Sequence, residues 1–413
     1  MATMTKRYTC RACACEHGEV ILDLGLQPLA NNLLAEADLD KSEPKFPLKV
    51  FVCPSCWLLQ ITDLVPPVDL FSDYIYFSSF SAAWVEHARR AAAQHVDTFG
   101  LGPSSLVIEV ASNDGYFLKH FKQRGIPVLG IEPAANIAQV AEEQEGIESL
   151  VAFFDEALGQ RLAAEGRQAD LVLGNNVFAH APDTRDFVAG LREVLKPGGR
   201  AVLEFPYAAD FIAHREFDTV YHEHVFYFAL TPLLRLFQAQ GLEIFRVERL
   251  PTHGGSLRLY AGHPGGHEVD PLVAAMATEE EAIGLTDIGT YRELSGRVEA
   301  LKVALCERLA ALKADGKSIA AYGASAKGST LLNTFGIGSE TLDFIVDRST
   351  HKQGRYSPGT HLPILAPEAL LESSPDYVLL LTWNFAEEIL EQQAEYRARG
   401  GRFIVPIPDV RTV

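Results

Sequence analysis

From Leu106 onward the sequence alternates between two textures. LVIEV (106–110), VLGIE (128–132), LVAFF (150–154), DLVLGN (170–175) and RAVLEF (200–205) are short, rich in branched residues and almost wholly apolar. Strands covered on both faces read this way, because side chains pointing up and down both meet core. Between them, residues 115–125, 134–143 and 184–195 read as amphipathic helices. A strand that must run through a helix before its neighbour pairs parallel to it, so the alternation predicts a doubly wound α/β sheet.

The next two runs break the pattern. EIFRVERLP (243–251) and SLRLYAG (256–262) are joined only by Thr252-His-Gly-Gly, too short for a crossover, and are expected to pair antiparallel. A parallel sheet closed by an antiparallel hairpin is the arrangement of a class I methyltransferase rather than of a plain dinucleotide fold. A length of 413 residues suggests two or three domains. Residues 1–80, with Cys, Pro and short β-type runs, read as a small metal-stapled module, followed by a helix over 82–98 and the sheet domain through 268. Residues 270–315 read as helices, with Leu294, Val298, Leu301, Leu305, Leu309 and Leu312 forming an apolar stripe that packs on a neighbour. SIAAYG, LDFIVD, YVLLLT and RFIVPI then look like four strands of a smaller Rossmann-like sheet, completing a third domain over 269–413.

Composition narrows the class of function. A net charge of −18 repels phosphate backbones and anionic membranes, which argues against a nucleic-acid or membrane partner. No apolar run approaches the ~20 residues that span a bilayer, and the first residues lack a signal-peptide core, so a cytoplasmic protein is expected. Five of the six cysteines fall in the first fifty-six residues, four of them as Cys10-x-x-Cys13 and Cys53-x-x-Cys56. Two such knuckles complete a tetrahedral thiolate shell suited to structural zinc. Cys15 competes with Cys13 for the first knuckle, but the two-residue gap favours Cys13; Cys15 and Cys306 read as free thiols.

After the first strand of the large sheet comes Glu109-Val-Ala-Ser-Asn-Asp-Gly115, in which Ala111 and Asn113 stand where glycines are usual. A turn of small residues into a helix lets backbone amides approach a ligand; Ala111, Asn113, Asp114 and Gly115 are the candidates, with Glu109 at the strand end. Glu132, followed by Pro133, ends the second strand, where an acid takes the hydroxyls of a ribose. Phe153 and Phe154 suit the border of an adenine, and Asn175 and Asn176 end the fourth strand. Any one of these residues is an ordinary turn or cap; together they make a cofactor crevice. NAD is the alternative ligand, but the LKPGG turn (195–199) and the hairpin suit S-adenosylmethionine better.

With EVASNDGYFL, GIEPAANIA, GNNVFAHAPDTRDFV, YHEHVFYF, THGGSLRLY and AYGASAKGSTLLN following the cysteine knuckles in order, the whole chain resembles the three-domain C-methyltransferases of nucleotide-linked deoxy-keto-sugars. The resemblance implies a zinc domain, an S-adenosylmethionine domain and a C-terminal Rossmann-like domain that helps hold the nucleotide-sugar. It implies methylation of a ring carbon beside a ketone, most often C3 beside a 4-keto group. Tyr221, Glu223 and His224 match the family's Tyr-x-Glu-His, His180 matches its N-x-x-x-x-H histidine, and Tyr74 or Tyr76 matches a tyrosine of Y-x-Y-x-S-S, with Tyr76 the pocket candidate. The expected partner is a dTDP- or GDP-linked keto-sugar bound by a monomer.

The chemistry fits these residue types. A carbon beside a ketone becomes a nucleophile only when a base removes its proton, and histidine titrates near neutrality, which makes His224 the expected base. His222 has no evident role. In the C-terminal domain, Gly323-Ala-Ser-Ala-Lys-Gly-Ser-Thr330 opens a helix after a strand, and Ser325 and Lys327 suit a pyrophosphate. Asp347, Lys352, Trp383 and Asn384 lie at later strand ends, where ordinary turn chemistry is an equally good account. C5 methylation, an NAD-dependent sugar oxidoreductase and a zinc-bearing binding protein are the competing functions.

Overall fold

The computed structural model describes residues 8–71 and 77–413. Three sheets organise it. In the N-terminal module β1 (Glu19–Gln27) pairs antiparallel with β2 (Phe46–Val52), which pairs with β3 (Leu59–Ile61). Helix Ala82–Phe99 follows, its first turn closed by the Ser81 hydroxyl accepting from Trp84 N and its end by Gly100 at φ +62°. The chain then lays down parallel strands β4 (Val107–Val110), β5 (Val128–Ile131), β6 (Ser149–Leu150), β7 (Ala169–Asn175) and β8 (Leu195–Pro206). All four residues of β4 are buried, as expected of a strand covered on both faces.

The short β9 (Phe226–Tyr227) leaves this sheet and pairs antiparallel with β3, adding a fourth strand to the N-terminal module. β10 (Glu243–Leu250) and β11 (Ser256–Gly262) then form the hairpin, with β11 antiparallel to β8. The central order is β10-β11-β8-β7-β4-β5-β6, the class I methyltransferase arrangement. Strand order reverses between β4 and β7, which opens a crevice at their carboxyl ends.

Helix Ile288–Ala314 carries the predicted stripe: Leu294, Val298, Leu301, Leu305, Leu309 and Leu312 are all buried. Its Tyr291 ring stacks on Trp57 of the N-terminal module, 6.3 Å between centroids. The last sheet is built from β12 (Ile319–Tyr322), β13 (Ile345–Val346), β14 (Ile364–Leu365), β15 (Tyr377–Leu380), β16 (Arg402–Val405) and β17 (Arg411–Thr412), in the order β14-β13-β12-β15-β16-β17. It is parallel except for β17. β14 and β17 add two edge strands to the four expected from sequence, and β6 is shorter than expected. β6 has β5 as its one partner, and pairing stops at Leu150; Val151 and Phe153 beyond it are exposed at 57% and 46%. Among the described residues no helix is long and apolar enough to cross a membrane.

Candidate functional site

The two cysteine knuckles share one geometry. Ala14 N donates to Cys10 O and Trp57 N to Cys53 O, and both donors sit in the left-handed region, at φ +60° and +67°. The Sγ atoms of Cys10, Cys13, Cys53 and Cys56 lie within 4.8 Å of one another, with Cys10–Cys56 at 3.6 Å and Cys13–Cys53 at 3.5 Å. Zn–S bonds of about 2.3 Å set tetrahedral sulfurs about 3.8 Å apart, so these four residues fit zinc. Hydrogen bonding with Cys53 holds the Cys10 thiol far below its ordinary range, and the same pairing pushes Cys53 up to about 12. Four thiolates cannot share this space without a cation, and a divalent ion removes the conflict. Gln60 Nε2 donates to Cys10 Sγ at 3.2 Å while its Oε1 is oriented by Arg11 N. Cys15 stays outside the cluster.

At the crevice, the loop after β4 adopts left-handed backbone at Ala111 (φ +53°) and Asn113 (φ +50°), the conformation usually left to glycine. Glu132, 4% exposed, accepts from Asn113 N at 3.0 Å and from Ala134 N at 2.9 Å, each oxygen keeping a lone pair. Burial pushes its carboxyl upward. Ala111, Asn113, Glu132, Pro133, Phe154, Asn175 and Asn176 all line one cavity of about 710 Å³ among the described residues. Phe154 stands edge-on to Phe187 at 5.2 Å, and Phe153 joins it in the wall. Asn175 Nδ2 and Asn176 Oδ1 are buried without a hydrogen-bond partner among the described residues, an arrangement that calls for a polar ligand. Spare acceptors on Glu132, an aromatic slot and orphaned amides fit S-adenosylmethionine.

Three expected cofactor residues stand behind this wall. Gly115 (φ +78°) packs where a Cβ would meet Ile147 Cδ1 at 2.6 Å. Asp114 Oδ2 accepts from Ser79 N, as Asn113 Oδ1 does from Ser78 N, so both tie down the approach to helix Ala82–Phe99. Glu109, 1% exposed, is pushed well up by burial and by its acidic neighbours Asp114 and Glu132.

The same cavity reaches the YHEH segment, where Tyr221, Glu223, His224 and His180 line it. The Phe217–Thr219 turn aims the Thr219 carbonyl at His224 Nδ1, 2.9 Å away. A carbonyl only accepts, so Nδ1 carries the proton and Nε2 offers a lone pair. Tyr221 Oη lies 2.6 Å from that Nε2 and donates to it. The His180 ring crosses His224 at 4.9 Å and is pushed down to about 4 by burial, which keeps it neutral. Glu223, 5% exposed, accepts from Asn31 Nδ2 at 2.7 Å. His222 turns away: it meets Phe46 edge-on at 5.7 Å and donates through Nε2 to Pro47 O at 3.3 Å, docking the segment on the N-terminal module. Tyr74 and Tyr76 lie outside the described residues. Sequence reasoning missed Asn31 and the Thr219 carbonyl, because neither a single asparagine nor a backbone oxygen carries a motif.

The cavity's far wall comes from the C-terminal sheet, through Ser325, Lys327, Lys352 and Asn384. Ser325 caps helix Ala326–Phe335, accepting from Gly328 N at 3.0 Å. Lys327 Nζ lies 4.7 Å over the Trp383 ring and 4.0 Å from Glu216, and Lys352 Nζ donates to Ala324 O at 2.8 Å. Trp383, expected at the substrate, is buried outside the wall; its indole donates to Asp218 at 2.7 Å and ties the C-terminal sheet to the Phe217–Thr219 turn.

A class I sheet, its switch-point crevice and a cavity fitted to S-adenosylmethionine define an S-adenosylmethionine-dependent methyltransferase. Three family descriptions match the chain: a zinc binding domain over residues 10–71, a methyltransferase domain over 84–247 and a C-methyltransferase C-terminal domain over 251–408. The chain is 39% identical to the C-methyltransferase NovU of Streptomyces niveus over 405 residues, 98% of this chain and 96% of that one. It therefore belongs to the zinc-containing C-methyltransferases. Over 99 residues it is also 30% identical to a ubiquinone biosynthesis O-methyltransferase of Roseobacter denitrificans, 23% of this chain and 39% of that protein. Among solved structures it is similar to the magnesium protoporphyrin IX methyltransferase of Synechocystis (15% identity, TM-score 0.34, 43% of this chain and 82% of that one).

Proposed function

We propose that this C-methyltransferase acts on a nucleotide-linked 4-keto-deoxysugar, at C3 beside the ketone. The observation that carries this reading is one cavity bordered by three kinds of group: the cofactor crevice, the Tyr221–His224 pair and the lysines Lys327 and Lys352. A carbon acid needs a base, a sulfonium methyl donor and anchoring for the rest of its molecule, and the cavity wall offers a candidate base, a crevice fitted to the donor and two cations. When bound, the cofactor supplies an electrophilic methyl group.

The residues divide the remaining work. Thr219 O fixes the His224 tautomer, so Nε2 is the destination of the sugar's α-proton. Tyr221 lies on the path: its hydroxyl takes the carbon-bound proton as its own proton passes to Nε2 at 2.6 Å. His180, neutral, and the apolar side chains of the wall keep water away from the enolate. Lys327 and Lys352 set two positive charges where a pyrophosphate would lie, with Ser325 and Asn384 beside them. The thiols of Cys10, Cys13, Cys53 and Cys56 would hold zinc as a closed structural site. Clustered thiols of this kind suit a reducing compartment, in keeping with the cytoplasm.

The test is incubation with S-adenosylmethionine and dTDP- or GDP-4-keto-6-deoxyhexoses, with the product located by carbon NMR. The expected result is a new C–CH3 carbon at C3 and loss of its proton; methylation on oxygen or at C5, or full activity in His224→Asn, overturns the reading.

A further inference from the structure

The N-terminal module reaches the wall of the cavity through Asn31. This residue lies between β1 and β2, and its segment is pinned on both sides. Asn32 N donates to Leu29 O and Leu33 N to Asn31 O, while Leu34 and Tyr356 of the C-terminal domain exchange two backbone hydrogen bonds at 2.9 Å. From this fixed base the Asn31 side chain points into the cavity and donates through Nδ2 to Glu223 Oε1 at 2.7 Å.

The residue type matters. Glu223 is 5% exposed, and a carboxylate that deep needs a donor to stay ionised. Lysine or arginine at position 31 would quench its charge. An amide steadies the carboxylate without neutralising it, and leaves a second N–H and a carbonyl for the cavity. Among the described residues, the titratable groups beside Glu223 in the segment and the cavity wall include His180, which bonds to the Glu223 backbone, Tyr221 and His224, while the neighbouring His222 turns to Pro47.

We propose that Asn31 is a positioning residue for the methyl transfer: its amide holds the Glu223 carboxylate ionised and aimed into the cavity, where that charge favours the imidazolium forming on His224. This rests on the reaction proposed above.

The experiment compares wild type, Asn31→Ala and Asn31→Asp, each checked for zinc content and for binding of S-adenosylhomocysteine, which are expected to change less than twofold. The Glu223 carboxyl is followed by carbon NMR of protein labelled in glutamate, its signal assigned by its loss in Glu223→Gln. Its titration midpoint is expected to rise in Asn31→Ala and further, by about one unit or more, in Asn31→Asp, where two carboxylates share a site. In assays with the keto-sugar, kcat is expected to fall about 10- to 100-fold in Asn31→Ala. In Asn31→Asp the acid limb of the pH profile moves upward. An unchanged midpoint in both variants overturns the proposal. A wild type that methylates no keto-sugar overturns the proposed reaction instead, and the titration, which needs no substrate, still decides the role of Asn31.

Discussion

The central and C-terminal sheets use one device for opposite purposes. In each, the acid ending the second strand reaches back to an amide in the loop after the first: Glu132 to Asn113 N at 3.0 Å, Asp347 to Ala324 N at 2.8 Å. Among the described residues only one of the two acids is paired with a cation. Glu132 keeps its free lone pairs facing the cavity, whereas Asp347 has Lys352 Nζ at 3.7 Å, and that lysine lines the cavity in its place. One sheet thus presents an acceptor to the cavity and the other a cation.

The largest effect is expected when each acid is removed in turn. Glu132→Ala is expected to weaken binding of S-adenosylhomocysteine about 100-fold or more by calorimetry, while Asp347→Asn leaves it within twofold. Equal losses would end the distinction. Next, Lys327→Ala is expected to raise KM for the nucleotide-sugar about 10- to 100-fold in steady-state assays, without moving cofactor affinity.

Acid should separate the sheets energetically. His95, buried against Phe99 and Tyr260 of the central domain, is pushed down to about 3 by burial and then by Arg258. The unfolded chain binds its proton below about pH 6.5 and the native state does not, so stability falls as pH drops from about 6.5 towards 3. The loss is about 2 kcal/mol at pH 5. Hydrogen exchange is expected to show the central sheet opening before the C-terminal one, and His95→Phe to flatten the difference.

The smallest effects lie in the loops. Gly323 (φ +96°) is the C-terminal counterpart of the left-handed central residues, and a Cβ there would meet Thr382 Cγ2 at 2.6 Å. Gly323→Ala is expected to destabilise by about 2 kcal/mol. Ala111→Gly, which relieves strain but loosens the unfolded chain, should change stability by less than about 1 kcal/mol in denaturant titration.

Local patterns made much of this legible. β4, β5 and β7 are buried on both faces, and the hairpin's short connection left one pairing possible. The cysteine knuckles were readable because metal ligands recur at fixed spacing. What escaped depends on tertiary contact. β1 reads EVILDLGLQ, with an irregular pairing register and exposed Leu26, and β9, β14 and β17 have two residues each, too few for any period. In the site, Trp383 looked available for substrate because its partner Asp218 is 165 residues away in sequence. Asn31 was invisible for the same reason, with Glu223 192 residues distant.

β9 binds the middle of the chain to its beginning. Residues just past His224 complete the sheet that the zinc knuckles staple, so a stretch near the centre of the sequence is a structural part of the N-terminus. Exchanging parts between relatives, in evolution or in the laboratory, therefore cannot cut cleanly after residue 71. A chimaera keeps its fold only if residues 217–228 travel with the donor's first seventy.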